Sequence, residues 1–242
     1  MSTLDSANLP SESAARPSSP EGLNDRLAEA ACYAVLRRLM PALRHDVAGT
    51  MQPVRMLLMV LERRVQALEP DMQAITKSVI SASALTKQAT ADCINALEWI
   101  GSSQDAHVSL SSSVDEAIKL LAIDLSANAL ELVNGISDDA VTASQSFLRT
   151  VFMGALLAFC DQRDVGGILH VTSEVANDSY SANQLRLRLR LLPGDAGKSP
   201  AFEDIVGKNR LIDWSDVEAM ARSFSVSVAR GDGWLTLDLP KD

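Results

Sequence analysis

The 242-residue sequence contains only three cysteines, Cys32, Cys93 and Cys160, and they are widely spaced along the chain. None of them stands in a CxxC or metal-ligand spacing, and each lies inside an apolar run. This usage argues against a disulfide framework and against a metal site. It indicates small core residues in a reducing compartment.

The sequence also lacks a concentration of positive charge. Its 22 lysines and arginines are outnumbered by 31 aspartates and glutamates, which gives a formal net charge of -9 at pH 7. Binding to a phosphate backbone requires a clustered basic surface. We therefore do not expect nucleic acid as a partner.

Long apolar runs are missing as well. None reaches the roughly 20 residues of a transmembrane helix, and the chain begins with serine and proline in place of a charged and then apolar signal. We expect no membrane partner and a cytoplasmic location. Residues 1–23 carry almost no large apolar side chains, so burial cannot offset the entropic cost of ordering this segment. We therefore predict a disordered tail.

Two long heptad patterns follow this segment. The first takes alternating four- and three-residue steps through Leu36, Met40, Leu43, Val47, Thr50, Val54, Leu57 and Leu61. "EPD" at 69–71 ends it, because proline removes a backbone donor. The second passes through Ile75, Val79, Ala82, Thr86, Ala89, Cys93, Ala96 and Ile100. Residues 24–102 thus predict a helical hairpin, and since two helices cannot enclose both seams, we expect a homodimer with a four-helix bundle.

Short strands alternate with helices in the rest of the chain and predict a second domain over residues 105–242. Strands are predicted in "HVSL", "ELVNGI", "GGILHVTSEVA", "QLRLRLRLL", "SVSVAR" and "WLTLDLP". Helices are predicted over 114–129 with Ser113 as the N-cap, from about Val141 to Cys160, and near Trp214 to Ser223. The fold class is α+β, with an antiparallel or mixed sheet that helices cover on one face.

One histidine stands out in the first helix. At about 100° per residue, His45 faces away from the seam formed by Leu43 and Val47. Its neighbour Asp46 can accept a proton or a hydrogen bond, which leaves a ring nitrogen with a free lone pair. The pair predicts a phosphoacceptor, His45, with Asp46 as proton acceptor or orienter. The alternative for His45 is a structural histidine, satisfied in the core or at the surface. The alternative for Asp46 is an ordinary solvated charge of a helix.

Small or compact residues surround His45 on its face of the helix. Pro41, Ala48 and Gly49 lie one turn away, and a glycine inside a helix costs about 1 kcal/mol relative to alanine. Gly49 therefore indicates that something approaches the backbone there. The set predicted to dock a partner is completed by three longer side chains of the same helix: Arg38, Arg44 and Gln52.

The other two histidines, His107 and His170, lie at or in predicted strands without acidic neighbours and are interpreted as structural. Three arginines, Arg186, Arg188 and Arg190, share one face of a predicted strand. That row is interpreted as a solvated face, with a contact for an acidic partner as the alternative.

"RHD" at 44–46, on the first helix of a hairpin that precedes an α+β domain, resembles the phosphoacceptor box of bacterial sensor histidine kinases. The ending "GDGWLTLDLP" is similar to the last hairpin of the ATP-binding domain of that family, and "DVEAMARSFSVSVA" fits the family's order of elements. The resemblance covers about residues 24–240. It implies a dimerisation and phosphotransfer domain followed by a histidine-kinase-ATPase-like α/β sandwich domain.

The sequence departs from this family where the kinases bind ATP. Two asparagines four residues apart hold magnesium and phosphate in the kinases, and Gly154 and Ala158 occupy those places in "VFMGALLAFCDQ". Leu192, in "LLPGDAGK", stands where the adenine-binding loop carries aspartate. The glycine-rich lid is not recognisable between Pro200 and Trp214. Without oxygen ligands for a metal, the resemblance implies neither ATP nor any resident metal or cofactor.

A phosphoacceptor helix joined to a degenerate ATPase domain resembles the dimeric histidine phosphotransferases of phosphorelays, of the ChpT and sporulation type. The resemblance implies that His45 takes a phosphoryl group from an aspartyl-phosphate on one receiver domain, which an upstream hybrid kinase charges. It would pass that group to the receiver domain of a response regulator, and the receiver would supply the magnesium. The first proline after His45 is Pro53, later than in the kinase box, a departure that bears on phosphatase activity more than on transfer. The alternatives are a catalytically silent adaptor that docks receiver domains and an active kinase with a diverged pocket.

Overall fold

The computed structural model describes residues 20–99, 106–138, 140–162, 165–178, 181–197 and 209–240. Most of the predicted tail and most of the segment between Pro200 and Trp214 lie outside these residues. Within the described ranges, no helix combines the length and the apolar character needed to cross a membrane.

Two long helices form the N-terminal hairpin, as predicted. Helix α1 spans Pro20–Val65 and begins four residues before the predicted start, and helix α2 spans Met72–Glu98. The carboxylate of Asp71 accepts hydrogen bonds from the backbone N–H groups of Gln73 and Ala74. The "EPD" stretch therefore follows the end of α1 at Val65 and caps α2.

The interior of the hairpin follows the predicted seams only in part. Val54, Ala82 and Ala89 are buried between the helices. In contrast, Val79 is 49% exposed, and Thr86 is exposed as well. Apolar surface predicted to be enclosed thus remains open on the single chain.

The first half of α1 packs against the second domain. Its buried residues recur every four positions, at Ala31, Val35, Leu39 and Leu43, and none is more than 6% exposed. They belong to the same hydrophobic core as the helices and strands of the second domain. Helix α1 is therefore shared, because its first half completes one core and its second half forms the hairpin.

The second domain contains thirteen described elements. In chain order they are β1 (His107–Ser109), α3 (Leu110–Leu120), α4 (Ala122–Ala127), β2 (Leu130–Asn134), β3 (Thr142–Ser144), α5 (Gln145–Phe147), a π-helical turn (Leu148–Phe152), α6 (Met153–Gln162), β4 (Val165–Asp178), β5 (Ser181–Gly197), α7 (Trp214–Ser223), β6 (Ser227–Gly231) and β7 (Trp234–Asp238).

Five strands form one mixed sheet in the order β2-β4-β5-β7-β6, and β1 pairs with β3 separately. Only the β2–β4 pair of the large sheet is parallel. Along β5, Leu187, Leu189 and Leu191 are buried, whereas Arg188 and Arg190 between them are exposed. One face is thus covered and the other is open, which confirms the predicted α+β class. The four-helix bundle of a dimer stays a prediction.

Two element boundaries in this domain differ from the prediction. Helix α3 begins at Leu110 because Ser109, not Ser113, is its N-cap, and its hydroxyl oxygen accepts a hydrogen bond from the Ser112 N–H. The helix then breaks at Leu121 and does not run on to residue 129. The residues before Gln145, predicted as helix, form β3, because they pair with β1.

Candidate functional site

His45 lies on the outer surface of α1. Its side chain is 87% exposed and that of Asp46 is 63% exposed. The two residues approach each other with 3.6 Å between His45 Nδ1 and Asp46 Oδ1, which is an ion-pair distance rather than a hydrogen bond. The imidazole is accessible, and Asp46 lies on its Nδ1 side. His45 is therefore not a histidine of the core, which leaves a surface histidine as the alternative to a phosphoacceptor.

His45 stands beside a cleft of about 470 Å³ between the hairpin and the second domain. Helix α1 contributes His45 and Asp46, and the end of α2 contributes Asp92 and Asn95 among others. The wall from the second domain is formed by three residues of α3: Glu116, Lys119 and Leu120. Polar groups from three helices therefore converge next to the imidazole.

Five of the six residues predicted to dock a partner lie exposed on α1: Pro41, Arg44, Ala48, Gly49 and Gln52. A Cβ atom built on Gly49 would meet no atom within 4 Å. The close approach that this glycine indicated therefore does not come from the chain itself. The surface around His45 is open to another molecule.

The sixth residue corrects the prediction, because Arg38 is buried, with 4% exposure. Its guanidinium donates to Asp124 Oδ1 at 2.6 Å and to Asp161 Oδ1 at 3.1 Å. Asp161 also accepts a hydrogen bond from the backbone N–H of Ile212. Arg38 thus joins α1 to α4 and α6, and it is not available to a docking partner.

The pKa values of the two carboxylates of this cluster, Asp124 and Asp161, are shifted by their surroundings. Burial raises the pKa of both Asp124 and Asp161, while the positive charge of Arg38 acts in the opposite direction. One guanidinium nitrogen, Arg38 Nη1, is buried without a hydrogen-bond partner among the described residues. The cluster holds charge inside the core and fixes α1 on the second domain.

A second set of contacts fixes the end of α2. The indole N–H of Trp99 donates to Glu116 at 3.2 Å, and the guanidinium of Arg149 lies 5.0 Å from the centre of the Trp99 ring. Arg149 also donates to the backbone carbonyl of Glu98 at 2.8 Å. The second domain therefore holds both helices of the hairpin, on either side of the cleft.

Gly154 and Ala158, the positions at which the sequence resemblance places the kinase asparagines, lie inside the core on α6. Ala158 is fully buried, and a Cβ on Gly154 would lie 2.4 Å from Met220 Cε and 3.5 Å from Val35 Cγ2. The side chains of α7 and α1 fill the space in which a larger residue at 154 would stand.

Leu192 does not join these two residues in one site. Its side chain is 43% exposed, whereas Leu191 beside it is buried. Successive side chains of a strand point to opposite faces of the sheet. Leu192 therefore lies on the open face, whereas Gly154 and Ala158 lie in the core on α6.

The arginine row lies on this open face, as predicted. Arg186 pairs with Asp238, with contacts of 2.5 and 3.0 Å, and Arg188 pairs with Glu174 at 2.8 Å. His170 lies half-buried in β4, opposite Arg190. In the described part of the chain, no group of three potential metal ligands is close enough to hold a metal ion.

Sequence reasoning missed the second-domain side of the site. Asp124 and Asp161 stand alone in the apolar stretches "LLAIDLSANAL" and "ALLAFCDQ", and a lone charge in an apolar run is a signal of a buried ion pair. Lys119 and Glu116 carry no such signal, since they look like ordinary charges of an amphipathic helix.

No protein family matches the sequence, and no curated protein matches it. Among solved structures, histidine kinase AdeS of Acinetobacter baumannii is 14% identical, with 77% of this chain and 96% of that chain covered and a TM-score of 0.42. The cytoplasmic segment of histidine kinase QseC is 11% identical, with 59% and 82% covered and a TM-score of 0.37. The catalytic domain of histidine kinase ThkA is 12% identical, with 57% and 98% covered and a TM-score of 0.37. Similarity at this level does not assign the chain to a family.

Proposed function

We propose that the protein is a histidine phosphotransferase of a two-component phosphorelay and that His45 carries the phosphoryl group between receiver-domain aspartates. The observation that carries the proposal is the exposed imidazole of His45 beside Asp46, at the mouth of a cleft with charged residues from three helices and on an open helix face. An imidazole that is accessible and has a carboxylate on one side has a free ring nitrogen for attack on phosphorus.

The transfer balances as a simple displacement. A lone pair of His45 attacks the phosphorus of the aspartyl-phosphate, the acyl P–O bond breaks, and its electron pair stays on the donor's carboxylate. Asp46 lies on the Nδ1 side of the ring and is placed to hold the proton on that nitrogen. The reverse reaction on a second receiver returns the imidazole to its starting state, and the receiver brings the magnesium.

The interior of the second domain supports transfer without ATP. A metal-bound triphosphate requires oxygen ligands and room for its phosphates. Ala158 offers no ligand, and the side chains of Val35 and Met220 crowd the place where a side chain at Gly154 would extend. In this proposal the second domain acts as a scaffold that needs no nucleotide.

An apolar stripe on the hairpin supports a homodimer. Exposed apolar residues recur at heptad spacing on both helices, and each is between 49% and 68% exposed: Met51, Leu58 and Val65 on α1, and Met72 and Val79 on α2. Such a stripe fits the seam of a bundle of helices. A second copy related by a two-fold axis would cover it.

A separate apolar patch supports the docking of a partner near His45. Met56, Met59 and Val60 are 57%, 48% and 42% exposed. At about 100° per residue, they lie on the same side of α1 as His45, about three to four turns further along, whereas the stripe around Leu58 points elsewhere. A receiver domain would cover this patch while its phosphorylated aspartate faces His45.

The proposal is tested with a radiolabelled phosphorylated receiver domain. The wild-type protein should gain a label that is acid-labile and base-stable, and His45→Ala should gain none. Asp46→Asn should slow labelling without unfolding the hairpin, because a surface helix substitution usually changes stability by no more than about 0.5 kcal/mol. Label that persists in His45→Ala would refute His45 as the acceptor, and a wild-type protein that binds the receiver without gaining label would be a silent adaptor.

A further inference from the structure

We propose that Lys119 of the second domain binds the transferring phosphoryl group, so that the site of phosphotransfer is completed across the cleft by a residue outside the hairpin. The proposal rests on the proposed function of His45. It assigns an anion-binding role to a side chain that the phosphoacceptor helix does not contain.

The charge of the cleft leads to this residue. Three carboxylates line it, those of Asp46, Asp92 and Glu116, and a phosphoryl group that enters brings further negative charge. Lys119 is the only lysine or arginine among the lining residues that the structure describes. Without this cation, like charges close to the reacting phosphorus would oppose the approach of the donor.

The hydrogen bonds inside the cleft also distinguish Lys119 from the neighbouring carboxylates. Glu116 accepts a hydrogen bond from the Trp99 indole, and Asp92 accepts one from the Gln88 side chain at 3.0 Å. The ammonium of Lys119 makes no hydrogen bond or ion pair within the described part of the chain. Its charge is therefore free to pair with an anion.

The position of Lys119 is fixed although its side chain is flexible. It lies in the last turn of α3, where the partial negative charge of the helix end favours a cation. Helix α3 is in turn tied to α2 through the bond between Glu116 and Trp99. A lysine is a compact charge on a long flexible stem, so it can follow a phosphoryl group as that group moves from the donor to the imidazole.

The test uses two donors, phosphoramidate and a phosphorylated receiver domain, with the full-length protein. With phosphoramidate, the P–N bond breaks, the leaving nitrogen departs as ammonia, and the new bond joins phosphorus to the His45 ring. Lys119→Gln should lower the labelling rate of His45 about tenfold with both donors, equivalent to about 1.4 kcal/mol. Lys119→Arg, which keeps the charge, should retain at least half of the rate.

A matched control and a salt series complete the experiment. Lys87→Gln, at an exposed position of α2 outside the cleft, should label at the wild-type rate. Raising the ionic strength should slow the wild-type protein more than Lys119→Gln, because salt screens the pair that the variant lacks. All variants should show the circular dichroism and melting temperature of the wild type, since Lys119 is exposed.

The outcomes separate the two proposals. Labelling of Lys119→Gln at the wild-type rate with both donors would overturn the role of Lys119 and leave His45 as the acceptor. A slower labelling of Lys119→Gln with the receiver but not with phosphoramidate would also overturn the role of Lys119, since Lys119 would then contact the partner and not the phosphoryl group. If wild-type His45 is labelled by neither donor, the proposed function itself fails and the role of Lys119 fails with it.

Discussion

The buried charge cluster predicts a large and pH-dependent loss of stability in Arg38→Met. Methionine has a similar length but no charge, so the variant leaves Asp124 and Asp161 buried without the cation that lies 2.6 and 3.1 Å from their oxygens. Removing one partner of a buried ion pair costs about 3–5 kcal/mol. We expect a loss of this size in the free energy of unfolding at pH 8.

The loss should shrink as the pH falls. Burial already raises the pKa of Asp124 and Asp161 above the ordinary value of 3.8, and the variant removes the charge of Arg38 that opposes this shift. A raised pKa in the folded state means that stability is fully present below the unfolded pKa and is lost as the pH rises through the folded pKa. The free energy of unfolding should therefore fall less in Arg38→Met at pH 5 than at pH 8.

The assay is urea unfolding at both pH values, followed by circular dichroism at one fixed protein concentration because dimerisation would shift the midpoint. Arg37→Met, at the exposed neighbouring position, is the control and should change stability by no more than about 0.5 kcal/mol. Adding Asp124→Asn and Asp161→Asn to Arg38→Met should recover part of the loss, because no unpaired charge then remains. A loss below about 1 kcal/mol at pH 8, or an equal loss at both pH values, would refute the reasoning.

Three further predictions concern nucleotide, the dimer and docking. Calorimetric titration with magnesium and ATP should show no binding in the micromolar range. A dissociation constant of roughly 10 µM or tighter, near -7 kcal/mol, would contradict the prediction that the ATP site is lost. Leu58→Asp should dissociate the dimer in sedimentation without loss of helix, since a buried unpaired charge at the stripe costs several kcal/mol, whereas Gln52→Asp should leave the dimer intact. Ala48→Trp and Gly49→Leu should stay dimeric and slow transfer from the receiver at least tenfold, about 1.4 kcal/mol; an unchanged rate would place docking elsewhere.

Much of the hairpin and of the sheet was predictable because their patterns are local. The heptad steps and the "EPD" break identify α1 and α2 from residues a few positions apart. Alternation in "QLRLRLRLL" identifies β5, with leucines on the covered face and arginines on the open one. The exposed position of His45 follows from the angle between it and the seam residues Leu43 and Val47.

What could not be predicted depends on residues far apart in the chain. Arg38 lies 86 residues from Asp124 and 123 residues from Asp161, and helical periodicity cannot show which distant charge will face it. Periodicity also describes which residues of α1 are apolar, but not that the second domain covers Ala31 and Val35. The wrong cap at Ser113 has a local cause, because a run of serines offers several possible caps for α3.

The two attachments of the second domain to the hairpin explain how this domain would contribute to the proposed transfer. Arg38 precedes His45 by seven residues, which is about 10 Å along a helix that rises 1.5 Å per residue. The buried cluster at Arg38 therefore fixes the second domain close to the imidazole on α1, and the contacts of Trp99 fix it on α2. With both helices held, α3 forms a wall of the cleft beside His45. Under the proposed function, this arrangement would let a domain without nucleotide place the charge of Lys119 beside the transferring phosphoryl group.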